Sequence, residues 1–351
     1  MNVLIIGAGW FGCEVARELE SMGLDFDLID KNNAFFSGSS AYNQNRLHFG
    51  FHYCRSAMTR AECRKGYDTF LTRYPDLSEE VRSYYLVANK SLLDFDTYIA
   101  VFNHEDSPYE RKPLQDLRED GMDFNPSFVN GDTVVVVKEH WINFMKARDH
   151  FTSKFADKLL HYDSSQLSIS SDRETISYGH KQYDLVFDAS YGHLLHSANS
   201  EYEVCLTLVY RKRNVAHGQP PVTVTVVDGE FYSLFAYKPQ EHLFTFTHVR
   251  HTPIFSSNCI QNINQFIGDL QVSDVNRQKD LIEQDVCSSL VNFLDELEYH
   301  SYFVSTKTKY VDSGFADRST RVEQHGKIVS LYGGKITGAL GVAPAVKESV
   351  V

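Results

Sequence analysis

The amino-terminal segment constrains the fold of this chain more than any other part of it. The run VLII predicts a short strand, and an amphipathic helix and a second apolar strand follow it. The turn between the first strand and the helix carries Gly7, Gly9 and Gly12, and Asp30 follows the second strand. A GxGxxG turn alone is weak evidence, but this order of strand, turn, helix, strand and acidic residue is specific. It predicts a βαβ unit that binds a dinucleotide.

Each glycine of this turn has its own steric role in dinucleotide binding. Gly7 makes the tight turn, Gly9 lets the backbone approach a pyrophosphate, and Gly12 permits close packing of helix on strand. The phosphates would meet the N–H groups at the helix start, and Asp30 would accept hydrogen bonds from the adenosine ribose. The neighbours that we also assign to the nucleotide are Trp10, Phe11 and Lys31. The alternative is a plain βαβ unit with a glycine-rich turn.

Composition and charge exclude several classes of protein. With 351 residues, of which 42% are apolar, the chain is long enough for two domains. Its net charge of −12 argues against a nucleic-acid partner or an anionic membrane surface, and no apolar run approaches the ~20 residues that span a bilayer. The first strand has no basic segment before it, so we expect no signal peptide. The six cysteines show no CxxC pair and no zinc-type spacing, so we expect reduced thiols, a cytoplasmic location and no metal.

The rest of the chain alternates between helical and strand-like periodicity. We predict helices over residues 56–72, 95–102, 141–155, 260–270, 275–297 and 338–348. We predict apolar strands over residues 84–88, 133–137, 184–189, 302–310 and 328–332. Between residues 204 and 248 the apolar residues recur at every second position, which predicts an antiparallel sheet with one buried face.

A second glycine turn lies near the carboxyl terminus. The strand that ends at Tyr332 leads into Gly333, Gly334 and Lys335, and a helix of small residues follows. The start of this helix is a second place where backbone N–H groups face an anion. One glycine turn can hold the pyrophosphate, and the other can face a second electron-rich part of the same cofactor.

These motifs resemble the FAD-dependent oxidoreductases of the D-amino-acid-oxidase-like family, which includes glycerol-3-phosphate dehydrogenase and the glycine and sarcosine oxidases. GAGWFG with Asp30 resembles the adenosine end of their site, GGKIT resembles the turn beside the flavin pyrimidine, and DLVFDASYG resembles a strand that ends near the cofactor. His48, Gly50 and Tyr53 have the spacing found in glycerol-phosphate dehydrogenases. NRLHFGFHYCR with GGKIT is most similar to a bacterial subgroup that accompanies polysaccharide and nucleotide-sugar genes.

The resemblance implies an α/β fold in which a Rossmann-type, glutathione-reductase-like FAD-binding domain carries an inserted antiparallel α+β substrate domain. We expect a discontinuous FAD-binding domain over residues 1–80, 139–200 and 305–351. Residues 81–138 and 201–304 would form the substrate domain. The cofactor would be FAD, held without a covalent bond, since nothing but adjacency favours Cys54 as a tether.

The resemblance and side-chain chemistry together imply the residues around the flavin. Short polar side chains after the second strand would reach ribityl and phosphate oxygens, or would form an ordinary polar loop with Asx turns; they are Ser39, Ser40, Asn43 and Asn45. The segment that passes the ring would contribute Arg46, Leu47 and His48, and the DLVFDA strand would contribute Ala189. The carboxyl-terminal turn would stabilise the reduced flavin through Gly333, Gly334, Lys335, Ile336 and Thr337.

The candidates for catalysis lie in the ring-passing segment and are His48, His52 and Tyr53. A histidine beside a flavin can accept a proton from an alcohol or amine while hydride leaves carbon. The alternative is a histidine that packs under the ring without transferring a proton. For a substrate carboxylate or phosphate we select tyrosine and basic side chains, each of which has the alternative of a surface or packing role; they are Tyr53, Arg55, Tyr232, Arg250, Lys307 and Arg318.

The resulting prediction is an enzyme that oxidises a CH–NH or CH–OH bond of a small polar substrate by hydride transfer to FAD. The substrate would be an amino acid, a hydroxy acid, or an amino or nucleotide sugar. The chain lacks the Arg-Pro segment that amino-acid oxidases carry before the carboxyl-terminal turn. Two alternatives stay open: a flavin-dependent nucleotide-sugar isomerase without net redox change, and a flavin-binding module without turnover. The electron acceptor is not indicated.

Overall fold

The computed structural model describes residues 1–194, 200–214, 220–229, 232–310 and 319–350. The strands of this part of the chain are β1 (Val3–Ile6), β2 (Phe26–Ile29), β3 (Arg46–Leu47), β4 (Ser78–Val87), β5 (Glu110–Pro113), β6 (Thr133–Ile142), β7 (Leu159–Leu160), β8 (Leu167–Ile169), β9 (Ile176–Tyr178), β10 (Lys181–Tyr183), β11 (Leu185–Asp188), β12 (Ser200–Lys212), β13 (Val222–Val227), β14 (Tyr232–Tyr237), β15 (Leu243–His248), β16 (Pro253–Ser257), β17 (Leu297–Tyr310), β18 (Arg321–His325) and β19 (Ile328–Tyr332).

The helices are α1 (Trp10–Ser21), α2 (Ala57–Arg73), α3 (Phe95–His104), α4 (Leu114–Glu119), α5 (Phe144–Phe155), α6 (Ile260–Asp269), α7 (Val272–Cys287), α8 (Phe293–Glu296), α9 (Ile336–Ala339) and α10 (Ala343–Val350). None of the helices in the described ranges has the length and apolarity needed to cross a membrane.

The smaller sheet has the strand order β18-β19-β11-β1-β2-β7. Its strands are parallel except for the edge strand β18, which pairs antiparallel with β19. Val3 and Ile5 of β1 face a core shared with α1 and α5, whereas Leu4 and Ile6 face the three-stranded sheet β8–β10. Burial on both faces explains why these strands are continuous apolar runs. The predicted α/β class with a Rossmann-type parallel sheet is confirmed.

The larger sheet has the strand order β16-β12-β15-β14-β13-β4-β6-β3, with β17 paired to β12 and β5 paired to β6. One of its faces is covered by α7 and α8, whose buried side chains Val275, Ile282 and Phe293 pack on residues of β13, β14 and β15. The strands from 204 to 248 belong to this sheet and not to the parallel one. The sheet is not wholly antiparallel, because β13 runs parallel to β4.

Several predicted boundaries are wrong for identifiable reasons. Residues 141–142 end β6 and do not begin a helix, because β6 pairs with β4 as far as Ile142 and the Asn143 side chain then caps α5 at Lys146 N. The helix predicted over 275–297 is divided between α7 and α8. The helix predicted over 338–348 is divided between α9 and α10, and Pro344 lies in the first turn of α10, where a proline is tolerated.

The predicted division into two domains differs from the sheets at several segments. β3, residues 78–80 of β4 and residues 139–142 of β6 were assigned to the FAD-binding part but lie in the larger sheet. Residues 305–310 were assigned to the FAD-binding part, but they belong to β17 and pair with β12 in the larger sheet. The described strands at 159–160, 185–188 and 321–332 lie in the smaller sheet together with β1 and β2. The division itself stays a prediction.

Candidate flavin and substrate site

Three neighbouring strands of the smaller sheet lead into the predicted cofactor turns at one edge. β1 leads into Gly7, β11 into Ala189 and β19 into Gly333. Because β19, β11 and β1 are parallel neighbours, their carboxyl ends and these three turns lie side by side. In open α/β sheets this edge is where ligands bind.

The amino-terminal turn leaves no room for side chains. Gly7 has a φ of +105°, and a Cβ at this position would lie 2.6 Å from the carbonyl oxygen of Ala189. A Cβ on Gly12 would lie 1.8 Å from the carbonyl oxygen of Gly7. Both clashes are with backbone atoms that cannot rotate away. The turn therefore has the bare backbone surface that a pyrophosphate requires.

At the start of α1, some groups face the glycine turn and others are buried in the core. Trp10 N donates a hydrogen bond to Ser40 Oγ at 3.1 Å, and a Cβ on Gly9 would lie 2.5 Å from the same oxygen. The Trp10 ring is buried in an aromatic core, so its backbone and not its side chain faces the turn. Phe11 reaches the second glycine turn, since a Cβ on Gly333 would lie 2.3 Å from its ring.

Asp30, which follows β2, is tied to the amino-terminal turn. Its Oδ2 accepts a hydrogen bond from Ala8 N at 2.9 Å. Its Oδ1 accepts from Asn32 N at 2.9 Å and from Ser37 Oγ at 3.2 Å. These bonds hold the carboxylate beside the turn, where the ribose was predicted. Lys31, assigned with it, is exposed.

Most of the polar side chains predicted to contact the ribityl chain form hydrogen bonds to backbone atoms instead. Ser39 Oγ donates to Thr306 O at 2.9 Å, and Asn43 Nδ2 donates to Ser39 O at 2.6 Å. Asn45 is fully buried, and its Nδ2 donates to Ala41 O at 3.1 Å. The Asn45 Oδ1 has no hydrogen-bond partner in the described part of the chain. The alternative of a structural loop thus accounts for Ser39 and Asn43, whereas Asn45 keeps a buried acceptor for a ligand or water.

The Arg46 side chain belongs to a buried polar network of the larger sheet. This position differs from its predicted role at the flavin. Its Nε donates to Glu139 Oε2 at 2.6 Å, and its Nη1 donates to Thr225 Oγ1 at 2.8 Å and to Ser233 Oγ at 3.0 Å. Its Nη2 donates to the Tyr85 hydroxyl at 2.9 Å. Because Glu139 is fully buried, the guanidinium is needed to compensate its charge.

Leu47 and His48 lie at the end of β3. Leu47 is fully buried in the core of the smaller sheet. His48 Nδ1 accepts a hydrogen bond from Gly50 N at 3.0 Å, and Gly50 has a φ of +93°, which a glycine adopts readily. Burial, followed by the charges of Arg46 and Lys335, lowers the pKa of His48 well below its ordinary value of 6.5. His48 is therefore neutral and carries its ring proton on Nε2, so it presents a donor where a proton acceptor was expected.

His52 and Tyr53 form an aromatic cluster with His48. The ring centroids of the two histidines are 4.3 Å apart, and the His52 and Tyr53 rings stack at 5.3 Å. Lys335 of the carboxyl-terminal turn places its Nζ 4.8 Å from the centroid of Tyr53. Burial, followed by neighbouring cationic groups, also lowers the pKa of His52 well below 6.5. The structure thus brings the three predicted catalytic candidates together with Lys335.

The carboxyl-terminal turn packs closely on α2. A Cβ on Gly66 would lie 2.4 Å from Thr337 Cβ, so α2 and α9 approach to backbone contact. Thr337 is buried in α9, and its hydroxyl lies beside the Cys63 thiol of α2. Ile336 packs partly buried against the smaller core, and a Cβ on Gly334 would lie 3.1 Å from the Tyr191 hydroxyl. A buried threonine hydroxyl directly after the carboxyl-terminal glycine turn fits a ligand with polar edges, as a flavin dinucleotide has.

Two predicted substrate residues are engaged elsewhere. Arg55 Nε lies 2.8 Å from Asp228 Oδ2 and forms an ion pair with it. The Tyr232 hydroxyl lies 2.6 Å from Ser289 Oγ, on the helix-covered face of the larger sheet. Ser233, the next residue, points to the opposite face, toward Arg46, because side chains alternate along a strand. Tyr232 is therefore a core residue.

The remaining substrate candidates are dispersed. Lys307 of β17 lies opposite Glu203 of β12. Arg250 is exposed after β15, where its N–H donates to His248 Nδ1 at 3.2 Å. Arg318 lies outside the described residues. Among the predicted substrate residues that the structure covers, Tyr53 belongs to the histidine cluster.

One group of histidine and aspartate side chains in the described ranges has the residue types that can bind a metal ion. His248, His251 and Asp285 place three ligand atoms within 4.8 Å of one another. His251 Nε2 and Asp285 Oδ2 are 2.7 Å apart and already form a hydrogen bond. Because His248 Nδ1 accepts from Arg250 N, the proton of the neutral ring lies on Nε2, the atom nearest Asp285. This arrangement leaves no lone pair on His248 Nε2 for a metal ion.

Sequence reasoning missed Tyr85 and Glu139, which contact the residues of the site from β4 and β6. The Tyr85 hydroxyl donates to Glu139 Oε1 at 2.6 Å and lies 3.0 Å from His52 Nδ1. A signal was present in the sequence. Val135, Val137 and Glu139 occupy alternate buried positions of β6, so a carboxylate stands where the strand pattern demands an apolar side chain.

Comparison with known proteins agrees with this site. The model of the FAD dependent oxidoreductase family matches residues 2–123. The FAD-dependent monooxygenase FPY4 of Fusarium mangiferae is 29% identical over 338 residues, which cover 95% of this chain and 86% of that protein.

Solved structures of the same fold span the whole chain. L-proline dehydrogenase from P. horikoshii has a TM-score of 0.71 at 13% identity and covers 100% of this chain and 93% of its own. L-α-glycerophosphate oxidase from Mycoplasma pneumoniae, with FAD bound, has a TM-score of 0.71 at 14% identity, with 99% and 94% covered.

The family match covers the amino-terminal turn and the histidine cluster, and the fold match extends to the carboxyl-terminal turn. FAD is therefore the cofactor, and its place at the two glycine turns stays a prediction. The finer resemblance to a bacterial polysaccharide-associated subgroup stays a prediction. The chain is thus similar to the FAD-dependent oxidoreductases of the D-amino-acid-oxidase-like family.

Proposed function

We propose that this enzyme oxidises a CH–NH or CH–OH bond of a small polar substrate, such as an amino acid, a hydroxy acid, or an amino or nucleotide sugar. The observation that carries the proposal is the cluster of His48, His52, Tyr53 and Lys335 next to the carboxyl-terminal glycine turn. FAD, when bound, supplies the acceptor for the hydride that leaves carbon.

A neutral histidine in this cluster suits the reaction. An alcohol or an ammonium group must lose a proton before or while its carbon gives up hydride, and an unprotonated imidazole can take that proton. The depressed pKa values of His48 and His52 keep both rings unprotonated at neutral pH. The ammonium of Lys335 favours negative charge nearby, either on a substrate carboxylate or on the reduced cofactor.

The test is anaerobic bleaching of the bound flavin. The purified protein is mixed with amino acids, hydroxy acids, amino sugars and nucleotide sugars, and the absorbance of oxidised flavin near the visible maximum is followed. We expect one substrate class to bleach the flavin without any added reductant. Absence of bleaching by every class would overturn the proposal.

Monooxygenation is a second candidate, because the relative from Fusarium mangiferae is named a monooxygenase and matches nearly the full chain. A monooxygenase would incorporate one oxygen atom of ¹⁸O₂ into its product. Its flavin would be reduced by a reductant such as NADPH and would not be bleached by the substrate alone. The isomerase alternative makes a different prediction: turnover that begins only after reduction with dithionite. A module without turnover would show none of these activities.

A further inference from the structure

We infer that His52, and not His48, is the proton acceptor of this site, and that Tyr85 and Glu139 are positioning residues that hold His52 in the tautomer it needs. The inference rests on the proposed oxidation and names the residues that carry its proton. It follows from the hydrogen bonds of two adjacent rings that fix opposite tautomers.

The first ring is fixed by a backbone donor. An N–H group can only donate, so the bond from Gly50 N requires a lone pair on His48 Nδ1. The single proton of the neutral ring is then on Nε2. His48 therefore offers a donor at its open nitrogen, and it can stabilise negative charge on a neighbouring atom but cannot accept a proton there.

The second ring is fixed through Tyr85. The Tyr85 hydroxyl has one proton, which it donates to Glu139 Oε1 at 2.6 Å. Glu139 also accepts hydrogen bonds from Arg46 Nε at 2.6 Å and from Ser83 Oγ at 2.8 Å, so its oxygens act as acceptors in this network. Burial raises the pKa of Tyr85 well above 10, so the hydroxyl keeps its proton.

The oxygen of Tyr85 consequently acts as an acceptor toward its other neighbours. Arg46 Nη2 donates to it at 2.9 Å, and the remaining contact is His52 Nδ1 at 3.0 Å. This contact is a hydrogen bond only if His52 Nδ1 carries the proton. His52 Nε2 then has the lone pair, and His52 is partly exposed whereas the network behind it is buried.

The proton balance of the step follows from this chain of bonds. His52 Nε2 would take the substrate N–H or O–H proton as the C–H bond breaks, and bound FAD would supply the acceptor for the hydride that carries away the electron pair of that bond. The Nδ1 proton of the resulting imidazolium can pass to the Tyr85 oxygen while the Tyr85 proton passes to Glu139 Oε1. The positive charges that face His52 are Arg46 from β3 and Lys335 from the carboxyl-terminal turn, and the carboxylate of Glu139 offsets them.

The tautomers can be measured directly in the FAD-loaded enzyme labelled with ¹⁵N-histidine. Long-range ¹H–¹⁵N correlation spectra distinguish a protonated from an unprotonated ring nitrogen, and the signals are assigned from the variants His48→Gln and His52→Gln. We expect His52 as the Nδ1–H tautomer and His48 as the Nε2–H tautomer. Finding His52 as Nε2–H in the unaltered protein overturns the inference.

The positioning role is tested with Tyr85→Phe. We expect the His52 signal to move toward the Nε2–H tautomer while the His48 signal stays unchanged. The matched control is Tyr84→Phe, which removes the neighbouring hydroxyl on the opposite face, where it donates to Asp120 Oδ2 at 2.6 Å. The control should leave both tautomers unchanged. An unaltered His52 tautomer in Tyr85→Phe would show that Tyr85 does not position it.

Once a bleaching substrate is known, the rate of flavin reduction separates donor from acceptor. His52→Gln should lower this rate by about 10²–10⁴-fold with little change in substrate affinity. His48→Gln, which retains an N–H donor, should keep more of the rate than His48→Ala. The reverse pattern, in which both His48 variants lose the rate and His52→Gln retains it, would contradict the assignment. If no substrate bleaches the flavin, the proposed function fails. The tautomer measurement still shows whether the hydrogen bonds of His48 and His52 have the directions that we infer.

Discussion

Replacement of Arg46 by methionine tests the buried network of the larger sheet. Methionine keeps an unbranched apolar stem but removes the guanidinium, and the side chains of Arg46 and Glu139 are 4% and 0% exposed. The variant therefore leaves a carboxylate buried without its charge partner, which typically costs ~3–5 kcal/mol. Loss of the bonds to Thr225 and Ser233 adds less, because their hydroxyls lie 3.1 Å apart and can pair with each other.

The expected loss of ~3–5 kcal/mol corresponds to about 10²–10⁴-fold in the unfolding equilibrium, at ~1.4 kcal/mol for each factor of ten. The assay is urea unfolding followed by tryptophan fluorescence. The chain has two tryptophans, and Trp141 lies directly opposite Arg46 in the pairing of β6 with β3. A Trp10→Phe background removes the signal from the smaller sheet, so that Trp141 reports unfolding of the larger one.

Adding Glu139→Gln to Arg46→Met should recover at least half of the lost stability, because the amide keeps an acceptor for Tyr85 and carries no charge. Lys138→Ala is the surface control, since its side chain is 77% exposed and lies 3.8 Å from Glu80. We expect it to change stability by less than ~0.5 kcal/mol. The reasoning is refuted if Arg46→Met costs less than ~1 kcal/mol, or if the double variant is less stable than the single one.

Three further outcomes follow from the structure. Gly12→Ala should abolish FAD binding, because the added Cβ would lie 1.8 Å from a backbone oxygen. The ratio of flavin to protein absorbance measures this binding. The control Gly268→Ala in α6, where nothing lies within 4 Å of the added Cβ, should bind FAD normally. Acid precipitation should release all the flavin, since burial raises the pKa of the Cys54 thiol to about 12 and leaves it unreactive as a tether; flavin retained on the protein would contradict this. Burial lowers the pKa of His248 to about 4, so between pH 6.5 and 4 the unfolded chain binds a proton that the folded chain excludes. The contribution of neutral His248 to stability should therefore be complete above pH 6.5 and lost as the pH falls toward 4. His248→Asn should flatten the dependence of the urea midpoint on pH in that range.

The sequence predicted the elements whose information is local. The strand, glycine turn and helix at 3–21 are read from neighbouring residues, because the turn has backbone positions that admit only glycine and the strand is apolar on both faces. The same reasoning located the carboxyl-terminal turn, whereas the segment with His48, His52 and Tyr53 was selected by its resemblance to glycerol-phosphate dehydrogenases. Boundaries were wrong at Trp141 and Ile142, where pairing with β4 extends β6 past the point at which helical spacing begins.

Other features depended on contacts between distant segments. Arg46 and Glu139 are far apart along the chain, and their pairing follows from the register of β3 and β4 on β6. No local pattern distinguishes Tyr232, which faces the helices, from Ser233, which faces Arg46, until the face of β14 is known.

The proton positions of the two histidines show the same division between sequence and structure. The sequence by itself determined that two imidazoles lie in one short segment, which we predict to pass the flavin. Which of them donates and which accepts was decided by the tertiary structure, through a backbone N–H at Gly50 and a hydroxyl from β4. The physical reason is that a neutral histidine ring can hold its single proton on either of two distinct nitrogens, and the hydrogen bond made by one nitrogen decides which of them carries it.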